Sequence, residues 1–162
     1  MVPLLILVLV TVAVRLAGGR GPSGARPWPS ALRFGLAAMF TVTGCAHFVG
    51  MRDDLIAMVP PSLPSPGTLV TLTGVLELLG AVGLVWRRTT GTAAAALGLL
   101  MVAMFPANVY AATHGLIAEW TDHLVPRTIL QIVYVAATAL VARHHWSQTK
   151  VEEGERAPAG PR

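Results

Sequence analysis

Charge is scarce in this chain. Of its 162 residues, 12% are Asp, Glu, Lys or Arg, against roughly 25% in an ordinary soluble domain. A soluble protein this short needs a polar surface larger than its core, and so few charges cannot provide one. Cysteine is scarcer still. The single thiol, Cys45, excludes an internal disulfide, a CxxC relay and a cysteine-ligated zinc site. The glycines form neither a Walker loop nor a dinucleotide fingerprint. There is no Ser-His-Asp arrangement and no zinc-protease motif, and no metal site is expected. The net charge of +4 does not point to nucleic acid, because the basic residues form no single patch. They fall between apolar runs, which is a topology signal.

The sequence is instead rich in long apolar stretches. Hydrophobic residues make up 54% of it. Five segments stand out: Val2 to about Gly18, Ala31–Gly50, Gly67–Trp86, about Gly91–Thr113 and about Leu124–Ala142. A helix needs about 20 residues to cross the hydrocarbon core, and all but the first reach that length. The expected fold is all-α, a polytopic transmembrane helical bundle with lipid as its solvent. Ser30 and Ser65 are placed to cap the second and third segments, with Pro66 at a first helical position that needs no N–H donor. Pro60, Pro61, Pro64 and Pro66 predict a stiff, extended loop. Pro106 predicts a kink within the fourth segment. The residues after Trp146 (147–162) are polar and end in Pro158, Gly160 and Pro161, so they are expected to be a disordered tail.

The basic residues alternate between the two ends of these segments. Arg15, Arg20, Arg26, Arg33, Arg87, Arg88, Arg143, Lys150, Arg156 and Arg162 lie on one side, and only Arg52 and Arg127 on the other. By the positive-inside rule the N-terminus lies outside and the C-terminus in the cytoplasm of a bacterial-type inner membrane. The first run has no basic residue before it and arginines after it, which favours a retained helix (residues 1–19) over a cleaved signal. Trp28, Trp86, Trp120 and Trp146 lie at or just beyond run ends, as in aromatic belts.

Several stretches together resemble the DoxX-like membrane proteins. They are Gly44-Cys45-Ala46-His47-Phe48, Met58-Val59-Pro60-Pro61 with Leu63-Pro64, Thr73-Gly74-Val75-Leu76-Glu77-Leu78-Leu79-Gly80-Ala81, Phe105-Pro106-Ala107-Asn108-Val109, and Arg127 with Gln131. The resemblance covers residues 31–143. It implies a four-helix membrane core, to which this chain adds an N-terminal transmembrane helix. It also implies an accessory subunit of a quinone-linked membrane redox system. No electron carrier is visible in the chain, so the chemistry would be borrowed from a quinone or from a partner redox protein. The alternatives are a small-solute transporter or channel, or a non-catalytic membrane scaffold. Against transport, five spans provide no paired inverted halves, although a homo-oligomer would.

Glu77 is the most informative residue. It lies near the middle of the third run, where an acidic side chain costs about 2.5–3.5 kcal/mol on insertion scales. It must face the bundle and find a partner or take up a proton. Thr73, Gly74, Gly80 and Ala81 around it allow close helix approach. The alternating topology puts His47, Asn108, Arg127 and Gln131 in the same outer half of the membrane. His47, Glu77, Asn108, Arg127 and Gln131 are therefore expected to form a buried polar cluster, either a ligand, quinone or proton site or a set of contacts that only hold helices together. Each also has a plainer reading. Arg127 can snorkel to the headgroups, His47 can be a packed or interfacial histidine, and Asn108 can repair the hydrogen bond lost at Pro106.

Elsewhere, His114, Glu119, Asp122 and His123 read as a solvated loop rather than a metal site, and Cys45 as a packed thiol. Asp53 and Asp54 followed by Leu55, Ile56, Met58 and Val59 suggest a short interfacial helix, either an anchor or a lid. If Glu77 is a membrane-interior residue, Glu77→Gln alters stability or function far more than Glu119→Gln. Thermal unfolding in detergent separates the two variants, and equal, negligible effects would remove the cluster.

Overall fold

A computed structural model describes residues 1–18, 27–115 and 124–156, with side chains as far as residue 151. Among the described residues there are six helices: α1 (Val2–Ala17), α2 (Trp28–Ala46), α3 (Arg52–Ala57), α4 (Pro66–Val85), α5 (Thr90–Thr113) and α6 (Leu124–Arg156). Helices α2, α4, α5 and α6 pack as a closed ring, α2 on α4, α4 on α5, α5 on α6 and α6 back on α2, while α1 lies against α2 and the short α3 against α4. The protein is thus an all-α bundle with a four-helix core and an added N-terminal helix.

The ring encloses Leu36, Met39 and Phe40 of α2, Ala81 and Leu84 of α4, Ala94 and Leu97 of α5, and Tyr134, Val141 and Ala142 of α6. The outer faces carry equally large aliphatic side chains. Leu72, Leu76, Leu79 and Val82 form an exposed stripe at helical spacing along α4, and Leu99, Val102, Ile129, Ile132 and Leu140 continue it on α5 and α6. A soluble helix puts polar residues on that face, so a surface of this kind belongs in lipid. Among the described residues, α4, α5 and α6 are each long and apolar enough to cross a membrane. Helix α1, with 16 residues, measures about 24 Å, short of a full hydrocarbon core of about 30 Å.

The helix ends refine what the sequence suggests. Ser65 does precede α4, with Pro66 as its first residue, but in a left-handed conformation (φ 51°) and without a side-chain cap bond. Ser30 does not cap α2. That helix starts two residues earlier, at Trp28 behind Pro27, because Pro29 sits in its first turn, where no N–H donor is needed. The proline-rich loop is folded rather than extended, with the Leu63 N–H donating to the Pro60 carbonyl at 2.9 Å. Pro61 then occupies the turn position that its fixed φ favours. Pro106 is accommodated inside a continuous α5. Helix α6 continues past Trp146 to Arg156, where the sequence suggests disorder. The residues there include Gln148, Lys150, Glu152 and Glu153, all good helix formers, and the first proline comes only at position 158. Residues 157–162 lie outside the described part.

Close approach between α1 and α2 depends on Gly35. A Cβ at this position would meet the Leu7 carbonyl oxygen at 2.6 Å and also the Thr11 hydroxyl, which itself donates to Leu7 O at 2.6 Å. A backbone oxygen cannot rotate away as a side chain can. Gly35→Ala should therefore cost about 1–3 kcal/mol by overpacking, read as a lower unfolding midpoint in detergent. Gly67→Ala, where the nearest atom would be 3.8 Å away, should leave the midpoint unchanged.

Candidate functional site

The five polar residues expected to form one cluster all lie in the ring, but the structure sorts them into two groups. The first lies between α2 and α4. Val70, Gly74, Glu77, Ala81 and Leu84 are the buried positions of α4, spaced alternately four and three residues apart, so Glu77 faces inward on the packed side of its helix. It is 5% exposed. The Thr43 hydroxyl of α2 donates to its Oε2 at 2.6 Å. One turn further along α2, His47 caps the helix and is 4% exposed. Gly74 lets the two helices approach closely here, since a Cβ there would meet the His47 Cβ at 2.5 Å.

The imidazole is held in one orientation. Its Nδ1 lies 2.9 Å from the Thr43 carbonyl. A carbonyl can only accept, so Nδ1 carries the proton and a neutral ring has Nε2 as its acceptor. Among the described residues no hydrogen bond reaches Nε2.

The second group joins α5 and α6. Arg127 Nη1 donates to Asn108 Oδ1 at 2.9 Å, and Gln131 Nε2 donates to the Met101 carbonyl at 2.6 Å. That carbonyl is next to the one at Val102, which loses its helical donor at Pro106. It is Gln131, then, that engages the backbone beside the proline, while the Asn108 side-chain oxygen receives Arg127. With Oδ1 occupied, the Asn108 amide nitrogen is the donor left over.

A cavity of about 470 Å³ links the two groups. His47 lines it from α2 and Asn108 from α5. Leu69, Val70 and Thr73 contribute from α4, and Met104 and Pro106 from α5. Leu55 of α3, with Met58, Val59 and Pro60 after it, covers the end. The short helix expected at the interface therefore forms one wall of this space. The walls are mostly apolar, and their polar groups are the His47 imidazole, the Asn108 amide and the Ser62 and Thr73 hydroxyls. That composition is typical of a small-molecule site.

Two residues of the site were not anticipated. Thr43 reads in sequence as one more threonine in an apolar helix, and most threonines here do turn back on their own helix, as Thr41 does to Ala37 O at 2.8 Å. Its position four residues before His47 is the only sequence signal of its role. Arg52 counts in sequence simply as a loop charge, yet its guanidinium donates to His47 O at 3.2 Å, Gly67 O at 3.3 Å and Thr71 Oγ1 at 3.0 Å. It thereby satisfies the C-terminal end of α2 and fastens α3 to α4. Cys45 is exposed rather than packed, since two residues from both Thr43 and His47 it points to the other side of α2. His114 is exposed and stacks on Tyr110 at 4.1 Å. Glu119, Asp122 and His123 lie outside the described residues, among which no group of three or more His, Cys, Asp or Glu side chains converges.

Residues 36–142 match a protein-family model described as a domain of unknown function, DUF8561. The match takes in most of α2, all of α3, α4 and α5, and α6 to its middle, and it omits α1. No curated protein and no solved structure matches the chain.

Arg52 ties together three elements around the cavity with two separate guanidinium nitrogens, and the compact ammonium of a lysine does not reproduce that spread fork. Arg52→Gln and Arg52→Lys should both lower the detergent unfolding midpoint, the first by about 1.5–3 kcal/mol, and both should speed proteolysis between residues 58 and 65.

Proposed function

The chain belongs to the DUF8561 family, a domain of unknown function, and we propose, from its sequence resemblance and the cavity, that it is a DoxX-like membrane protein serving as an accessory subunit of a quinone-linked redox system, with the His47–Asn108 cavity as its quinone pocket. The observation that carries this reading is the composition of the cavity. Its apolar wall of Leu, Met, Val and Pro side chains carries the His47 imidazole and the Asn108 amide, with the Ser62 and Thr73 hydroxyls also in the lining. A quinone ring is flat and apolar and accepts hydrogen bonds at its carbonyls. Its reduced form donates them from hydroxyls. An Asn amide suits a carbonyl, and a neutral imidazole nitrogen suits a hydroxyl.

The chain's own contribution is positional. The Thr43 carbonyl fixes the imidazole tautomer, Arg127 fixes the face that the Asn108 amide turns to the cavity, and the α3 cover limits water entry. A bound quinone would supply the two-electron chemistry for which the protein has no group of its own. Electrons would come from a membrane partner protein. In this reading α1, α2, α4, α5 and α6 all cross the bilayer. Arg15, Arg33, Arg87, Arg88, Arg143 and Lys150 mark the cytoplasmic end, and Arg52 and Arg127 the outer end, beside the cavity.

A purely structural reading has support for two of the five residues. Gln131 donates directly to the α5 backbone and Arg127 to Asn108, so they act as cross-links between α5 and α6 whatever occupies the cavity.

Solvent extraction of the full-length protein purified in mild detergent should recover quinone. His47→Leu and Asn108→Leu should each lower the bound quinone about tenfold, the effect of one lost hydrogen bond of about 1–1.5 kcal/mol. Cys45→Ser, on the outer face, should not change it. Absence of quinone from the parent protein, or equal retention by all variants, would refute the pocket.

A further inference from the structure

The His47–Asn108 cavity has a neighbour. A groove of about 720 Å³ runs between α4 and α5 on the outer surface of the ring. Leu100 and Ala103 line both spaces. On α4 the cavity is lined as far as Thr73, and the groove begins one turn later, at Leu76. Thr73, Leu76, Gly80 and Gly83 follow one another at intervals of three and four residues, so they share the face that α4 turns to α5. The groove follows α4 from Leu76 to Trp86, about 15 Å of helix.

Small side chains shape it. Helices α4 and α5 meet at Gly80 and Gly83, where a Cβ would lie 2.5 Å from Leu97 Cδ2 and 2.8 Å from Ala93 Cβ. Ala96 and Ala103 put only methyl groups on the α5 side. Leu79, Val82 and Leu99 are exposed where the groove opens to lipid. Thr89, Thr92 and the Trp86 indole come together at the far end. Both hydroxyls there donate to backbone carbonyls, Thr89 to Gly83 O and Thr92 to Thr89 O, each at 2.9 Å. Between that end and Ala103 every side chain in the lining is hydrocarbon. An apolar furrow alone takes any lipid chain. This one leads from a cavity in which His47 is 4% exposed and no hydrogen bond among the described residues reaches its Nε2.

Cavity and groove together form one space, with polar groups at one end and hydrocarbon along the rest. A ligand that matches it has a polar head and a long apolar chain. Leu55, Met58 and Pro60 cover the cavity on the α3 side, so a chain attached to a ring in the cavity has its outlet along α4 and α5. Membrane quinones carry such a chain, built of isoprene units. We propose that the α4–α5 groove holds the isoprenoid chain of the quinone whose ring occupies the His47–Asn108 cavity. This subsite rests on the quinone reading of the cavity and adds to it. The groove is also the lateral way in, by which the ligand reaches His47 from lipid without passing through water.

The test uses full-length protein, delipidated in mild detergent, and two benzoquinones with the same dimethoxy-methyl ring, one without a chain and one with a decyl chain. Binding is read by titration calorimetry. The decyl compound should bind about tenfold more tightly. Ala96→Phe puts a ring into the groove and should remove about that tenfold gain. It should leave the chainless compound unaffected, which also shows that the variant is folded. Ala96→Leu, a smaller plug, should act in the same direction. Ala95→Phe, at an exposed neighbouring position outside the groove, should alter neither affinity. If the parent protein binds neither compound, the quinone reading falls and the subsite with it. Equal affinities for the two compounds would leave the ring pocket standing and overturn the chain subsite. Equal effects of Ala96→Phe and Ala95→Phe would overturn it too. So would a loss of copurifying phospholipid from Ala96→Phe with decyl affinity unchanged, which would assign the groove to an ordinary acyl chain.

Discussion

A carboxyl group halfway along an apolar helix has to be met by a donor from another helix, and in this protein the donor is the Thr43 hydroxyl, 2.6 Å from Glu77 Oε2. Much of the architecture follows from this requirement. Facing Glu77 inward sets the rotation of α4 and puts Leu72, Leu76, Leu79 and Val82 outside. The same rotation turns Gly74 toward His47 and Gly80 toward Leu97, so α4 packs against α2 on one side and α5 on the other. In water a rotation error would expose some apolar surface. In lipid it would strand a carboxyl group among acyl chains, which is far more costly.

The bundle divides its polar chemistry between its ends. One end holds a mostly apolar cavity with the His47 imidazole and the Asn108 amide among its few polar groups, closed by α3 and the folded proline loop. The other holds a cleft lined by Arg33, Arg87 and Arg88 with His144 and His145. The two share no lining residue. The polar residues not spent on either end cross-link the helices: Gln131 fastens α6 to α5 at Met101, and Arg52 fastens α3 to α4. A polar residue in this interior therefore has one of two uses, and geometry alone distinguishes them. Gln131 reaches a backbone carbonyl and is satisfied, whereas no partner among the described residues reaches His47 Nε2.

Much of this was legible in the sequence because lipid imposes simple rules. The limits of α4 and α5 fall within one residue of the apolar runs, since Pro66 and the Arg87-Arg88 pair interrupt those runs sharply. The burial of His47 and Glu77 was legible for the same reason, as each breaks an apolar stretch, whereas Asn108, Arg127 and Gln131 are only half-buried. Their pairing was not. Which side chain meets which depends on the rotation of each helix, and an apolar helix that is hydrophobic all round hides that rotation from any periodicity. Thr43 was hidden because an intrahelical bond to the carbonyl four residues back usually satisfies a membrane threonine. Arg52 was hidden because its partners are two backbone carbonyls and a hydroxyl spread between positions 47 and 71. The extra turns of α6 were missed because its polar end resembles a tail in composition, while its residues are individually good helix formers.

The pairing of Thr43 with Glu77 carries the rotational alignment of α2 and α4, and a double-mutant cycle measures it directly. Unfolding free energies in detergent for Thr43→Val, Glu77→Leu and the double variant yield a coupling energy. The account predicts a coupling of about 1–3 kcal/mol, because each single change removes a bond whose loss the other no longer feels. Additive effects, with coupling near zero, would mean that the hydroxyl and the carboxyl group do not meet, and the orientation of α4 described here would be wrong.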